Sequence, residues 1–251
     1  MHIALNVLKI FISKKEIYFE SITFEEGVER IGRNMFNYCF ALENISLPDS
    51  LLEIGDYVFV KASNLDEVRF GNGLRKKGLR VFFGCQKLKN ITLPESLEYI
   101  GEEALSGLGA TCIVLGRNIK EIDALSIGYT NYLGVDYRRI EIPDFTIYGY
   151  AGTDAQRYAE ENNFKFVDIS NQEVEIVDKG FDYSIVKKGD VNLDGVVSVQ
   201  DATLVQKYLA GEAEFNSIQE YNSLVSDYDY NISINNVTEI QKYLANLVTD
   251  L

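Results

Sequence analysis

Residues 45–59 read Ile45-Ser46-Leu47-Pro48-Asp49-Ser50-Leu51-Leu52-Glu53-Ile54-Gly55-Asp56-Tyr57-Val58-Phe59. The first three alternate apolar, polar, apolar, which is the period-two pattern of a short strand. Leu51 then stands as a second apolar anchor, Ile54 as a third, Gly55 as a turn residue and Phe59 as a large apolar one. The same order recurs on both sides. Ile22-Thr23-Phe24, Ile45-Ser46-Leu47, Val68-Arg69-Phe70 and Ile91-Thr92-Leu93 start 23 residues apart, and Ile113-Val114-Leu115 follows after 22. The second anchor recurs as Val28, Leu51, Leu74, Leu97 and Ile119, and the third as Ile31, Ile54, Ile100 and Ile122. Gly32, Gly55 and Gly101 come next, then Phe36, Phe59, Phe82 and Leu105, then Leu42, Leu65 and Leu88.

A unit this short cannot bury its own apolar face, but stacked copies share a continuous core, so the spacing predicts a solenoid. Short strands are expected to form a sheet on one side, with turns or short helices on the other. Cys39 and Cys85 hold one repeat position with Ala62 between them, which reads as small core residues rather than nucleophiles. The third copy has Lys76-Lys77-Gly78 where others have an apolar residue and a turn, and a loop or irregularity is expected there. The fifth, over residues 116–139, is also loose.

The chain has 251 residues, of which 46% are apolar, enough for a real core. Its 24 basic and 38 acidic residues give a net charge of −14, which argues against nucleic acid as a partner. Three cysteines, Cys39, Cys85 and Cys112, are neither a disulfide framework nor a zinc knuckle. His2 is the only histidine, so histidine-dependent nucleophilic catalysis lacks its base. No membrane span is expected, because no stretch reaches the ~20 apolar residues required. Residues 3–12 are mostly apolar, yet no basic segment precedes them and no clear cleavage site follows.

The pattern I-x-L-P-x-x-L-x-x-I-G-x-x-x-F-x-x-C-x-x-L resembles the leucine-rich repeats of the BspA type, over roughly Ile22 to Val167. The resemblance implies an α/β-type repeat solenoid of short stacked strands. Residues 145–166 resemble the closing unit of such arrays and read as strand, turn, helix, strand. Thr153 or Asp154 is expected to cap that helix, with Gln156 as the capping-box partner of Thr153. Residues 1–21 form no recognisable cap, which leaves open whether N-terminal repeats are missing.

A second duplication lies near the C-terminus. Gln206-Lys207-Tyr208-Leu209-Ala210 recurs 35 residues later as Gln241-Lys242-Tyr243-Leu244-Ala245. Before the first copy stands Asp190-Val191-Asn192-Leu193-Asp194-Gly195-Val196-Val197-Ser198-Val199-Gln200-Asp201. This fits a twelve-residue calcium loop, with oxygen donors Asp190, Asn192, Asp194, Ser198 and Asp201 at positions 1, 3, 5, 9 and 12, and the Val196 carbonyl at 7. Gly195 permits the sharp turn, and Val197 is expected to tie the loop to its twin through a short strand contact. Asp201 should also begin a helix, which continues over residues 202–210 with Leu204 or Val205, Tyr208 and Leu209 on one face. The twin is damaged. Asp227, Asp229, Asn231, Ser233 and Asn236 are its donors, but two positions including the glycine are missing and Asn236 carries no carboxylate. One calcium is therefore expected, with a second uncertain.

Loop, helix and duplication together resemble a type I dockerin, over about Lys188 to Leu247. This implies a small all-α, EF-hand-like module that docks onto a cohesin of a scaffoldin, in a cellulosome or cell-surface assembly that degrades polysaccharide. The resemblance places partner contacts at Val199, Gln200, Gln206 and Lys207 in the first copy and at Ile234, Asn235, Gln241 and Lys242 in the second. It raises the possibility of two docking orientations. The expected domains are 1–167 (repeats and cap), 168–187 (linker, partly packed as an extended strand through Val174, Ile176, Phe181 and Ile185) and 188–251 (docking module). The overall expectation is a secreted or cell-surface, non-catalytic binding protein whose signal peptide is absent from this sequence. Its repeats would bind a protein or glycan. Tyr129, Tyr132, Tyr137, Tyr148 and Tyr150 are candidates for stacking on a ligand, or for cap packing. A dockerin-borne carbohydrate-active enzyme using two carboxylates, or a structural spacer, are the alternatives.

Overall fold

The computed structural model describes residues 2–3, 20–89, 91–130, 140–171, 176, 178, 180–225 and 231–245. The chain divides into two compact units. The first comprises residues 1–130 and 144–181, the second 131–143 and 182–251.

The strands are β1 His2–Ile3, β2 Ser21–Phe24, β3 Arg30–Ile31, β4 Asn44–Ser46, β5 Glu53–Ile54, β6 Glu67–Arg69 and β7 Lys76–Lys77. They continue as β8 Tyr99–Ile100, β9 Cys112–Val114, β10 Glu121–Ile122, β11 Tyr129–Thr130, β12 Ile140–Glu141, β13 Thr146–Gly149 and β14 Lys165–Asp168. The first unit is a β-solenoid. One parallel sheet runs β1-β2-β4-β6, with Ile22, Ile45 and Val68 in register and buried. The apolar residues of the alternating pattern face inward, as the two-residue pleat period requires.

The opposite side has the expected turns, at residues 33–38, 56–61, 79–84 and 102–107. It carries a second parallel sheet, β10-β8-β7-β5-β3, in which Ile31, Ile54, Lys77, Ile100 and Ile122 stand in one inward column. A third ladder without strand geometry follows each Gly position. Asn34, Phe36 and Tyr38 donate N–H to Asp56, Val58 and Val60, and Tyr57, Phe59 and Lys61 do the same to Leu79, Val81 and Phe83. Positive φ at Asn34 and Tyr38, then at Tyr57 and Lys61, keeps these segments from closing into helices. Their N–H groups reach the following turn instead. Phe36, Phe59 and Phe82 stack within this column, with centroids 5.6 and 5.2 Å apart.

The third copy is regular where a loop was expected. β7 pairs with β5 and β8, and Lys77 replaces the core isoleucine. Its side chain is 0% exposed, its Nζ has no hydrogen-bond partner, and it lies 4.5 and 5.0 Å from the ring centres of Phe70 and Phe82. The register set by its neighbours overrides the polarity of one residue. In the loose fifth copy β10 also holds its place, while residues 131–139 lie outside the described part. Ile91 to Pro94 adopt no strand, although Ile91 stays buried.

The closing unit has the expected order: β13, then helix α1 at Asp154–Glu161, then β14, in a parallel sheet β14-β13-β9. Thr153 is the N-cap residue, but its hydroxyl donates to the Tyr150 carbonyl and does not cap, and Gln156 accepts from the Gly152 N–H. Asp154 instead ties the helix to the array by accepting the Ile122 N–H at 2.6 Å. Arg157, bonded to Asp154, holds that carboxyl below its ordinary value. All three cysteines are buried, and burial pushes the Cys39 and Cys112 thiols up to about 11 and Cys85 higher still. A protonated thiol is a poor nucleophile.

Of the stretch beyond β14 that was expected to pack partly as an extended strand, residues 172–175, 177 and 179 lie outside the described part. Val174 lies outside the described residues and Ile176 is exposed. Asp178 accepts the Thr111 N–H and hydroxyl, and the Phe181 N–H bonds to the Gly109 carbonyl, which fastens this stretch to the solenoid.

Candidate calcium site and interaction faces

The second unit contains helices α2 Val199–Leu209, α3 Ser217–Ser223 and α4 Ile234–Leu244, with a 3-10 turn at Tyr183–Ile185. Its core is Val191, Ala202, Val205, Val225, Val237 and Ile240. Val197 and Ile232 pack against this cluster as equivalent residues of the two copies. They form no strand, so the expected strand contact through Val197 is replaced by core packing.

Helix α2 begins at Val199, two residues before the expected start at Asp201. Ser198 is its N-cap and accepts the Gln200 N–H, while Asp201 at the third helical position reaches back to the Ser198 N–H, closing a capping box. Leu209, expected on the inner face, is 41% exposed. The inner face is Ala202 and Val205, flanked by Leu204, while Tyr208 stacks on Phe215 with centroids 4.3 Å apart.

The loop before α2 is drawn together by its carboxylates. Asp190 accepts the N–H groups of Asp194 (3.2 Å) and Gly195 (2.9 Å). Asp201 Oδ1 accepts those of Val191 (2.8 Å) and Asn192 (2.9 Å), and its Oδ2 accepts the Ser198 N–H (2.7 Å) and hydroxyl (3.1 Å). Asn192 Oδ1 accepts the Asp194 N–H, and Asp194 Oδ1 the Val196 N–H. Gly195 sits at φ +88, the conformation its loop position calls for. A Cβ there would meet nothing within 4 Å. Gly195→Ala should therefore cost only backbone strain, about 1 kcal/mol of module stability, read as a lowered chemical-denaturation midpoint. A cost several times larger would mean that the space above Gly195 is needed as well.

Among the described residues no three His, Cys, Asp or Glu side chains gather as they do around a metal ion. The donors of the first loop nevertheless suit calcium in chemistry. They are all oxygens, and they include the Asn192 amide, the Ser198 hydroxyl and the Val196 carbonyl beside the acids. Asp190 and Asp201 are 0% exposed, and among the described residues neither is in an ion pair. Two buried carboxylates without a cationic partner are costly, and a divalent cation is the compensation this donor set fits. Of the second loop, Asp227 and Asp229 lie outside the described residues. Asn236 is 0% exposed and accepts the Ser233 N–H at 2.7 Å.

The eight residues expected at the partner surface are all exposed. Val199 and Ile234 stand at 68% and 60% exposure, unusual for large apolar side chains. Gln200, Gln206 and Lys207 lie exposed beside Val199, and Asn235, Gln241 and Lys242 beside Ile234. Lys242 pairs with Glu239, where the first copy has Leu204. Val196 in the preceding loop is also exposed, at 61%.

Among the tyrosines at the end of the array, Tyr129 is a packing residue. It is buried, bonds through its hydroxyl to Asn162 and meets Phe164 edge-on. Tyr150 lies under Arg117. Tyr132 and Tyr137 are outside the described residues. Sequence reading missed an exposed pair, Tyr38 (53%) and Phe40 (54%), with ring centroids 6.0 Å apart. Its only signal was that the equivalent residues of later copies are polar or glycine.

A parallel-stranded repeat solenoid joined in one chain to a small helical module with a duplicated loop-helix motif is a modular interaction protein. Residues 11–133 match the BspA type leucine rich repeat region in six copies, and residues 188–244 match the dockerin type I domain. The chain is a BspA-type leucine-rich repeat array followed by a type I dockerin. The repeat match has one more copy than the five read from spacing and begins upstream of Ile22. Both modules are non-catalytic. No curated protein matches the chain.

Among solved structures, the chain is similar to the leucine rich repeat protein of T. pallidum at 23% identity, over 51% of this chain and 58% of that one, with a TM-score of 0.42. A leucine-rich repeat protein from Bacteroides ovatus matches at 29% identity, over 42% and 29%, with a TM-score of 0.38. One from Eubacterium ventriosum matches at 19%, over 51% and 37%, with a TM-score of 0.35. The matched part is thus less than two thirds of each of those chains. No helix among the described residues is long and apolar enough to cross a membrane.

Proposed function

We propose that this chain is a non-catalytic adaptor. Its repeats (1–167) bind a protein or glycan, a short linker (168–187) follows, and its dockerin (188–251) docks in the presence of calcium onto a cohesin of a scaffoldin, outside the cell. The observation that carries this is the pair of matching exposed patches on α2 and α4. Each begins with a bare apolar residue, Val199 or Ile234, and continues through an identical Gln-Lys pair. A fold that buries its core well keeps such residues in water for a partner.

Calcium, held by Asp190, Asn192, Asp194, Val196, Ser198 and Asp201, would supply the positive charge that lets two acids stay buried at the start of α2. The chain's own residues do the rest. Ser198 and Asp201 fix where the helix starts, and that start fixes the direction of Val199 and Gln200. The reading places the protein outside the cell, where calcium near millimolar is available. For the repeats, Tyr38 and Phe40 are the exposed aromatic pair best suited to stacking on a ligand.

The test is capture on immobilised cohesin in calcium and in chelator. Capture is expected in calcium alone. Val199→Asp combined with Ile234→Asp should abolish it with the helical signal unchanged. Equal capture in chelator, or by the double variant, would sink the docking reading.

A further inference from the structure

Ser198 and Ser233 stand 35 residues apart at the same place in the two copies. Each is a helix N-cap with nearly the same backbone, φ −143 and ψ 177 against φ −145 and ψ 175. The Ser198 N–H donates to Asp201 Oδ2 at 2.7 Å, and the Ser233 N–H donates to Asn236 Oδ1 at 2.7 Å. The two hydroxyls repeat the pairing at 3.1 and 3.4 Å. The next N–H but one returns to each serine, Gln200 at 3.1 Å and Asn235 at 3.3 Å. Asp201 and Asn236 are both 0% exposed. An amide therefore builds in the second copy the cap that a carboxylate builds in the first.

The difference between them is charge. Asp201 brings a buried anion, and with Asp190 it makes a site that calls for a cation. Asn236 brings none. It has a single oxygen, and its other polar atom is a donor, so it cannot supply the bidentate acid on which a twelve-residue calcium loop closes. Residues 227–236 are also two positions short, and the missing positions include the glycine that the first loop uses at φ +88 and the carbonyl that follows it.

Resting on the calcium reading of the first loop, we infer that the second copy is an ion-independent half. Helix α4 is capped by the Ser233–Asn236 pair with no cation, and the module takes up a single calcium, in the loop from Asp190 to Asp201. Ile234 and Asn235 follow that cap directly, so the start of α4 needs no ion. Val237 and Ile240 of α4 share one core with Val191, Ala202 and Val205 of the first copy, so docking through either patch still depends on the ion in the first loop.

Native mass spectrometry and equilibrium dialysis of the full chain in calcium chloride count the ions. One bound calcium is expected, and Asp190→Ala should bring the count to zero. Asn236→Ala should leave it at one with unchanged affinity, while far-UV circular dichroism reports whether that variant keeps its helices. Two calcium ions on the unaltered chain would overturn the inference and leave calcium-dependent docking intact. A folded chain that binds none would overturn the calcium reading itself. The count on the unaltered chain decides between these outcomes even if both variants fail to fold.

Discussion

Lys77→Ile should stabilise the repeat array by about 1–3 kcal/mol at pH 7, the cost of burying an amine that has no hydrogen-bond partner. Isoleucine is what the column above and below already holds, at Ile54 and Ile100. Lys77 is fully buried, its amine has no hydrogen-bond partner, and the faces of Phe70 and Phe82 replace only part of its lost hydration. Burial pushes the amine well below its ordinary value. Between that depressed value and the ordinary one near 10.5, the unfolded chain holds a proton that the folded chain has released. Stability then rises with pH across that window. The advantage of Lys77→Ile should be full below the depressed value and should narrow, as the pH approaches 10.5, to the cost of burying the neutral amine without a hydrogen bond. Thermal melts of both proteins from pH 6 to pH 10 check this. A variant that melts no higher than the original, or a gap that does not narrow with pH, would show that the amine reaches water.

Asp201→Ala should remove the folded dockerin and leave the repeats standing. The substitution strips the acceptor from three backbone N–H groups, Val191, Asn192 and Ser198, one of them on a fully buried residue. Orphaned buried donors cost about 1–3 kcal/mol each. A unit of this size is only marginally stable, so a loss of about 4 kcal/mol summed from those donors consumes most of its stability. Chemical denaturation of the full chain, followed in calcium, should lose the dockerin transition and keep that of the array. Asn236→Ala leaves the acceptor of those three N–H groups in place and should keep the first loop closed. An unchanged dockerin midpoint in Asp201→Ala would show that the loop N–H groups find other acceptors.

The inward column of the array was legible because a period of 23 residues repeats faster than chance allows, and because each copy puts its apolar residues on one face of a strand. The second sheet was not legible. Its members, such as Arg30–Ile31 and Glu53–Ile54, are two residues long, too short to show an alternation of their own. They exist because the neighbouring turn supplies their partners. Lys77 misled for the same reason, since a lysine in an apolar column reads locally as a break, while register is decided by the copies on either side. In the dockerin the ligand types at fixed positions pointed to the loop. The helix start was misplaced because Asp201 was read as a loop terminus, although Ser198 three residues earlier already offered the cap. Thr153 showed the same signal and went the other way: its hydroxyl is spent on the Tyr150 carbonyl.

The ladders that join each turn of the solenoid to the next have one more consequence. Nearly every bond in them runs from a residue to one about 23 positions on, so each turn needs only its two neighbours. Adding or deleting one whole copy in the middle leaves every remaining contact with an equivalent partner. It changes the length of the array by a single strand spacing, about 4.8 Å. The repeats are thus a graduated ruler as well as a surface, and gene duplication can adjust the distance between the two ends of the array one step at a time without redesigning either.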